Sequence, residues 1–170
     1  MEFSKLVWMR YSVRAYRSDP IEDSKLSQVL EAARAAPTAC NRQPFQIIVI
    51  RTQGREAELR RIYPKDWFVQ APLVIAACGV LSETWTRKKD AKSYNDVDVA
   101  IVMDHLILGA ADVGLGTCWV AAFDPEAARE LLQLPGGVEP IAFTPLGYPA
   151  DQAGTKVRKH RTEIVCWDHW

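Results

Sequence analysis

The sequence lacks the features that mark several large functional classes. It has no GxxxxGK[ST] or GxGxxG loop, so a phosphate would have to be held by side chains and not by a glycine-rich backbone loop. It also lacks an excess of positive charge, since 21 Lys and Arg residues balance 21 Asp and Glu residues. A protein that binds nucleic acid or a membrane surface is not expected, because those partners demand positive charge.

Long apolar runs and paired cysteine motifs are also missing. No stretch approaches the roughly 20 apolar residues that cross a bilayer, and the first residues lack the basic flank and apolar core of a signal peptide. The four cysteines show no CxxC spacing, and His160, Cys166 and His169 match no ordinary zinc site. We therefore expect a cytoplasmic protein with reduced thiols, no membrane span and no metal.

The residues that are present suffice for one domain over 1–170. Of the 170 residues, 48 % are hydrophobic and 25 % are charged, which is typical of a globular core and not of disorder. No repeat and no linker rich in Gly, Ser or Pro divides the chain.

Helical and β-branched segments alternate, which predicts an α+β or α/β fold with strand order undetermined. We expect helices at 21–36, 55–63 and 94–113 and from Asp124, and strands at 45–51, 72–80, 117–123 and 140–147. Gly114 is expected to end the longest helix, and Asp124 to cap the next one with Pro125 at its first position. His105 lies on the apolar side of the longest helix, where a core or interface histidine is commoner than a catalytic one.

The segment Arg10-Tyr11-Ser12-Val13-Arg14 is the first candidate ligand site. Alternate side chains of an extended segment face the same way, so Arg10, Ser12 and Arg14 would form one polar row. Two guanidinium groups and a hydroxyl suit a phosphate, because Arg binds phosphate oxygens in a bidentate manner. Taken alone, the motif is more often a solvated strand face.

Three later segments add groups that suit a flat heterocycle with a phosphate tail. Loop 37–45, PTACNRQPF, holds a hydroxyl and two carboxamides, which can donate and accept hydrogen bonds as the pyrimidine edge of a flavin requires. In 114–122, GLGTCWVAA, small residues let the backbone approach a ring. The basic cluster 156–161 is usually a solvated tail, unless it returns to a phosphate at Arg10. The tail then ends in Trp167 and Trp170, which either pack on their own subunit or wrap a partner.

In this order and spacing, these segments resemble the FMN-dependent nitroreductase family over nearly the whole chain. The matching features are RxSxR, the Pro-Thr-x-x-Asn-x-Gln-Pro-aromatic loop after a helix, the long helix closed by GLG, and the basic tail. The resemblance implies an α+β fold with a central, mainly antiparallel sheet flanked by helices. It also implies a homodimer with the long central helix at the interface and one FMN at each of two symmetric sites.

The resemblance further implies roles for individual residues. Arg10 and Ser12 match positions that bind the phosphate, Arg14 matches one beside the pyrimidine edge, and loop 37–41 would come from the partner subunit. Ala121 and Ala122 fall where the family often has Glu-Gly or Gly beside flavin N5, so a backbone contact remains but an acidic side chain does not. The full set of candidate cofactor-binding residues is Arg10, Tyr11, Ser12, Arg14, Pro37, Thr38, Ala39, Asn41, Gln43, Ala121, Ala122, Gly147, Lys156 and Arg158.

The implied activity is FMN-dependent reduction of small organic acceptors, such as nitroaromatics or quinones, by NADH or NADPH in ping-pong order. No catalytic acid, base or nucleophile is predicted, because the cofactor performs the chemistry. Two alternatives stay open: another flavin reaction, such as reductive dehalogenation or enone reduction, and a flavin-storage or sensing module without efficient turnover. Ala121 in place of an acidic residue keeps the second alternative open. Segment 81–96 is expected to cover the substrate side.

Overall fold

The computed structural model describes residues 2–170 and contains five α-helices and six β-strands within them. The helices are α1 (Phe3–Met9), α2 (Asp23–Arg34), α3 (Glu56–Ile62), α4 (Asn95–Asp112) and α5 (Pro125–Leu132). The strands are β1 (Phe45–Arg51), β2 (Leu73–Val80), β3 (Thr86–Arg87), β4 (Lys92–Ser93), β5 (Gly116–Thr117) and β6 (Val138–Gly147). Short 3₁₀ helices occupy Ala39–Asn41, Asp66–Val69, Leu81–Glu83 and Arg161–Glu163.

One four-stranded sheet organises the chain, in the order β1–β2–β6–β5. All three neighbouring pairs in it are antiparallel. The inner strand β2 is buried at every position between its two end residues, because helices cover both faces of the sheet. The α+β class with an antiparallel sheet flanked by helices is thus confirmed.

Each face of the sheet has its own hydrophobic cluster. On one face α2 and α4 pack together and α4 contacts β2 and β6, with Leu106 at the centre. On the other face α3 and α5 form a second cluster around Phe68. Because successive side chains of a strand point to opposite faces, Ile75 belongs to the first cluster while Val74 and Ala76 belong to the second.

The predicted helices at 21–36, 55–63 and 94–113 and most strands are confirmed to within two residues at each end, and the helix predicted from Asp124 is confirmed at its start. Asp124 caps α5 as expected, since its side chain accepts hydrogen bonds from two N–H groups in the first turn. Gly114 follows α4 with φ of 79°. The N–H of Leu115 donates to Ala110 O at 2.8 Å, and the N–H of Gly114 donates to Ala111 O at 3.2 Å. These two bonds form a Schellman motif.

The predicted strand 117–123 is wrong in its extent. Pairing with β6 is limited to Gly116–Thr117 and an isolated bridge between Val120 and Phe143. Between them the N–H of Cys118 donates to the Thr144 side chain at 2.9 Å, which interrupts the backbone ladder. Helix α1 was not predicted, because its seven residues make only two turns and bury only Leu6.

Helix α4 carries apolar side chains on two sides. Val99, Met103 and Leu106 are buried in the core. The side that carries His105 stays partly or fully exposed: Val97, Ile101, His105, Leu108 and Ala111. On that side, His105 Nδ1 lies 3.0 Å from the carbonyl oxygen of Ile101 one turn earlier. Within residues 2–170, no helix has both the length and the apolar character needed to cross a membrane.

Candidate functional site

A cavity of about 470 Å³ separates the segment after α1 from the C-terminal tail. Arg10, Tyr11, Ser12 and Arg14 line it from one side. Residues 151, 152 and 154–158 of the tail line it from the other side, with Lys156 and Arg158 among them. The structure therefore brings together six of the predicted site residues, from opposite ends of the chain.

Segment 10–14 is held extended by its contacts with β5. The N–H of Val13 donates to Thr117 O at 2.9 Å, and Ser12 forms a parallel bridge with Thr117. Val13 is 1 % exposed and packs against Gly116, where an added Cβ would lie 2.7 Å from Val13 Cγ2. Because side chains alternate along the segment, the inward position of Val13 turns Ser12 and Arg14 outward. The second glycine of GLG thus has a packing role in forming the cavity wall.

Lys156 joins the tail to the N-terminal segment. Its Nζ donates to Val7 O at 3.0 Å and to Arg10 O at 2.6 Å, and it lies 5.7 Å from the ring centroid of Trp8. Burial lowers the pKa of Lys156, and the positive charges of Arg10 and Arg158 lower it further. The cavity wall is thus an electropositive surface that an anion would stabilise.

Asp151 also lines the cavity and was missed in the sequence. It accepts a hydrogen bond from the N–H of Arg14 at 2.7 Å and from the hydroxyl of Tyr11, whose oxygen lies 3.0 Å from both its backbone carbonyl oxygen and Oδ1. Burial and then Asp151 raise the pKa of Tyr11 to about 12. Asp151 therefore fixes the backbone at Arg14, and the Tyr11 hydroxyl is already engaged. An acidic residue before a basic tail gives no local signal for this role.

Loop 37–43 is ordered by hydrogen bonds of its own. The N–H of Gln43 donates to Thr38 Oγ1 at 3.0 Å, and Gln43 Nε2 donates to Asn41 O at 3.2 Å. The N–H of Ala39 donates to Asp98 Oδ1 of α4 at 2.8 Å. Among the described residues that line the cavity, none comes from this loop.

Asp98 is a second residue that the sequence interpretation missed, although a signal was present. It shares the buried side of α4 with Val102 and Leu106, four and eight residues further on. A carboxylate on the core side of an apolar helix requires a polar partner. The Ala39 N–H is that partner.

The remaining predicted residues lie away from the cavity. Ala121 and Ala122 are exposed after β5, and within residues 2–170 their N–H groups have no hydrogen-bond partner. Gly147 ends β6 and is buried. An added Cβ there would lie 2.9 Å from Pro72 Cδ and 3.3 Å from Ala71 Cβ, which leaves no room for a side chain. Close packing thus explains this glycine, and its contact with a flavin stays a prediction.

Other cavities contain few or none of the predicted residues. A smaller one of about 130 Å³ adjoins the first and shares Arg10 and Tyr11 with it. Two depressions of about 760 Å³ each lie elsewhere, one beside the Arg61–Glu130 ion pair and one between α2 and β1, and neither includes a predicted site residue. In the described part of the chain, no group of three His, Cys, Asp or Glu side chains is arranged to hold a metal ion.

Comparison with known protein families gives one match that covers most of the chain. The sequence model described as "Nitroreductase family" matches residues 7–67 and 61–148. This range includes segment 10–14, loop 37–43 and β6.

Individual relatives and solved structures agree with that match. A protein from Thermus thermophilus named NADH dehydrogenase is 29 % identical over 93 % of this chain and 92 % of its own length. The FMN reductase [NAD(P)H] of Bacillus subtilis is 26 % identical over 86 % of this chain and 66 % of its own. The crystal structure of a nitroreductase family protein from Clostridium difficile superimposes with a TM-score of 0.89, 38 % identity and complete coverage of both chains.

Proposed function

Because this chain belongs to the nitroreductase family, we propose that it is an FMN-dependent NAD(P)H oxidoreductase that reduces small organic acceptors, such as nitroaromatics or quinones. The observation that carries the proposal is the cavity beside segment 10–14, which gathers four cationic side chains and a serine hydroxyl. The similarity to the FMN reductase of Bacillus subtilis supports both the cofactor and the electron donor.

The residues of this cavity fit the phosphate end of FMN. Arg10, Ser12 and Lys156 supply donors of the kind that bind a dianionic phosphate. Side chains must do this, since the sequence has no glycine-rich phosphate loop. Burial and then the positive charges of Arg10 and Arg158 lower the pKa of Lys156, and a bound anion would favour its charged form.

When bound, FMN supplies reversible two-electron transfer between NAD(P)H and an acceptor. Arg14, exposed at the cavity edge, is the candidate to place a positive charge beside the pyrimidine edge of the ring, where it favours the electron-rich form. Ala121 and Ala122 are exposed residues, and they would offer N–H groups and little side-chain bulk beside a flat ligand. We expect NAD(P)H and the acceptor to use the same space in turn, because no separate nucleotide-binding fingerprint exists in the sequence.

A homodimer belongs to the same proposal. Loop 37–43 does not line the cavity of its own subunit, and α4 leaves Val97 40 % exposed on an apolar side. Trp167 and Trp170 are 77 % and 106 % exposed, so the indoles do not pack on their own subunit. Exposed apolar surface of this kind favours burial against a second copy. The two symmetric sites would then combine segment 10–14 and the basic tail of one chain with loop 37–43 of its partner.

Anaerobic mixing tests the proposed activity. Purified protein is first loaded with FMN, and its absorbance is then followed after addition of NADH or NADPH. We expect the oxidised flavin band to bleach rapidly and to return when a nitroarene or a quinone is added. A flavin that stays oxidised would contradict the enzyme and favour the storage or sensing alternative. A protein that takes up no FMN would contradict the proposal as a whole.

A further inference from the structure

Asp98 is a buried carboxylate that lies outside the cavity described above. It occupies the first turn of α4 and is 1 % exposed. Its Oδ1 accepts the N–H of Ala39 at 2.8 Å. Its Oδ2 is also buried and has no hydrogen-bond partner among residues 2–170. A buried carboxylate with one oxygen left unpartnered is unfavourable for stability, so a role in stability alone does not explain it.

The loop that Asp98 contacts has a backbone conformation that its residues do not favour. Cys40, Asn41 and Gln43 have φ of 52°, 52° and 53°, in the left-handed region that glycine and asparagine tolerate but that is disfavoured for Cys40 and Gln43. Such a conformation persists only where surrounding contacts hold it. The hydrogen bond from the N–H of Gln43 to Thr38 Oγ1 ties the loop to itself, whereas the bond to Asp98 ties it to a core helix.

From this geometry we propose that Asp98 is a positioning residue for FMN. It fixes the Ala39 N–H against α4 and thereby holds Thr38 and Asn41 in the conformation that binds the cofactor. Asp98 itself touches no cofactor, so its effect on FMN affinity passes through the loop. In the proposed dimer the loop serves the partner's cavity, and Asp98 then acts across the subunit interface. The inference rests on the proposed function and adds to it a residue that controls cofactor affinity.

Titration of the apoprotein with FMN, followed by flavin fluorescence, tests the inference. Asp98→Ala removes the acceptor, and we expect FMN to bind at least about tenfold more weakly, the effect of losing a charge-assisted hydrogen bond. Asp98→Asn keeps an acceptor for the Ala39 N–H but makes the bond neutral, so this variant should lose less FMN affinity than Asp98→Ala. The matched control is Asp96→Asn, which removes an exposed carboxylate from the same helical turn and should change the affinity less than about twofold.

Hydrogen exchange in the apoprotein gives a readout that needs no FMN. We expect the amide of Ala39 to lose protection in Asp98→Ala, while amides of β2 and of the remainder of α4 keep theirs. A purely structural role would instead lower the protection and the melting temperature of the whole core and leave FMN affinity unchanged in variants that stay folded. That second pattern would overturn the inference.

Ala39→Pro removes the donor of the same hydrogen bond. Thr38 is extended, with φ of −133° and ψ of 160°, which a following proline tolerates, and Ala39 begins its 3₁₀ helix. If the bond is the cause, Asp98→Ala should weaken FMN binding little further when Ala39 is already proline. Independent losses that multiply in the double variant would contradict a shared cause. If the wild-type protein binds no FMN, the proposed function fails; if it binds FMN and both single variants bind equally well, only this inference fails.

Discussion

The ammonium group of Lys156 is bonded to two backbone carbonyls and lines the same cavity as the Arg10 and Arg158 side chains. It donates to Val7 O and Arg10 O, while burial and the charges of Arg10 and Arg158 lower its pKa. A group whose pKa is lowered in the free protein regains its ordinary affinity for the proton when an anion binds beside it. FMN binding is therefore expected to be linked to proton uptake at Lys156.

The expected consequence is a pH dependence of FMN affinity on the alkaline side. Lys156 is charged at pH values below its pKa, so FMN should bind most tightly there. The FMN affinity should fall as pH rises through that pKa, which lies below the ordinary lysine value of about 10.4. We expect Lys156→Met to bind FMN more weakly near neutral pH and to show a flatter decline in titrations from about pH 7 to 10. Lys159→Met alters an exposed neighbour outside the cavity wall and should retain the wild-type profile. An equally steep decline in Lys156→Met would exclude Lys156 as the titrating group.

At the scale of elements, the end of α4 determines how the chain enters the cavity wall. The Schellman motif at Gly114 reverses the chain, so that Leu115 enters the core and Gly116 reaches β6. Gly116 must be small because Val13 packs against it. The two glycines of GLG are therefore required for different physical reasons. The first is required by its backbone conformation and the second by a close side-chain contact.

Substitution of Gly114 tests the effect of its backbone conformation on stability alone. An added Cβ would meet no atom within 4 Å, while φ is 79°, so only the left-handed backbone is penalised. We expect Gly114→Ala to lower the free energy of unfolding by about 1–2 kcal/mol, measured by urea denaturation of the apoprotein. Gly136→Ala is the matched control, because it has equal space and no positive φ, and it should be neutral or slightly stabilising. Equal effects of the two substitutions would remove the cap explanation.

At the scale of the whole molecule, the proposed composite site can be tested by mixing subunits. Arg10→Ala should weaken FMN binding by roughly 1.5–3 kcal/mol. Asn41→Gly removes the loop carboxamide without backbone strain, because glycine tolerates the left-handed φ of 52° at this position. In a mixed dimer one site would lack both groups and the other would be intact.

Random exchange between these two variants should therefore restore tight binding at about one quarter of all sites, since half of the dimers are mixed and each has one intact site. The control mixes Arg10→Ala with Lys156→Met, which alter the same half of the site. This mixture should restore tight FMN binding at no site. Titration of each mixture with FMN measures the tight fraction. No recovery in the first mixture, with subunit exchange shown independently, would mean that loop 37–43 does not contribute to the partner's site.

Most of the architecture could be predicted from the sequence because it depends on local patterns. Helical and strand periodicity located both ends of six elements to within two residues, namely α2, β1, α3, β2, α4 and β6. Asp124 marked the start of α5 and Gly114 the end of α4 through their own chemistry. The short strand β5 was predicted too long, because a side chain of β6, Thr144, replaces a backbone partner there. No property of the sequence near Cys118 reveals that distant competitor.

The sequence by itself determined a fold of mixed helices and strands, the element order and the segments that carry cationic and hydroxyl donors, since each depends on residues close together in the chain. The tertiary structure decided which of those donors meet. Asp151 reaches Tyr11 across 140 positions and Lys156 reaches Arg10 across 146, and no local pattern encodes such pairs. It also decided that Val99, Met103 and Leu106 of α4 face the core while Val97 and Leu108 do not. Because α4 is apolar on two sides, its periodicity does not indicate which side faces the core. The buried side is the one against which α2 and the sheet pack.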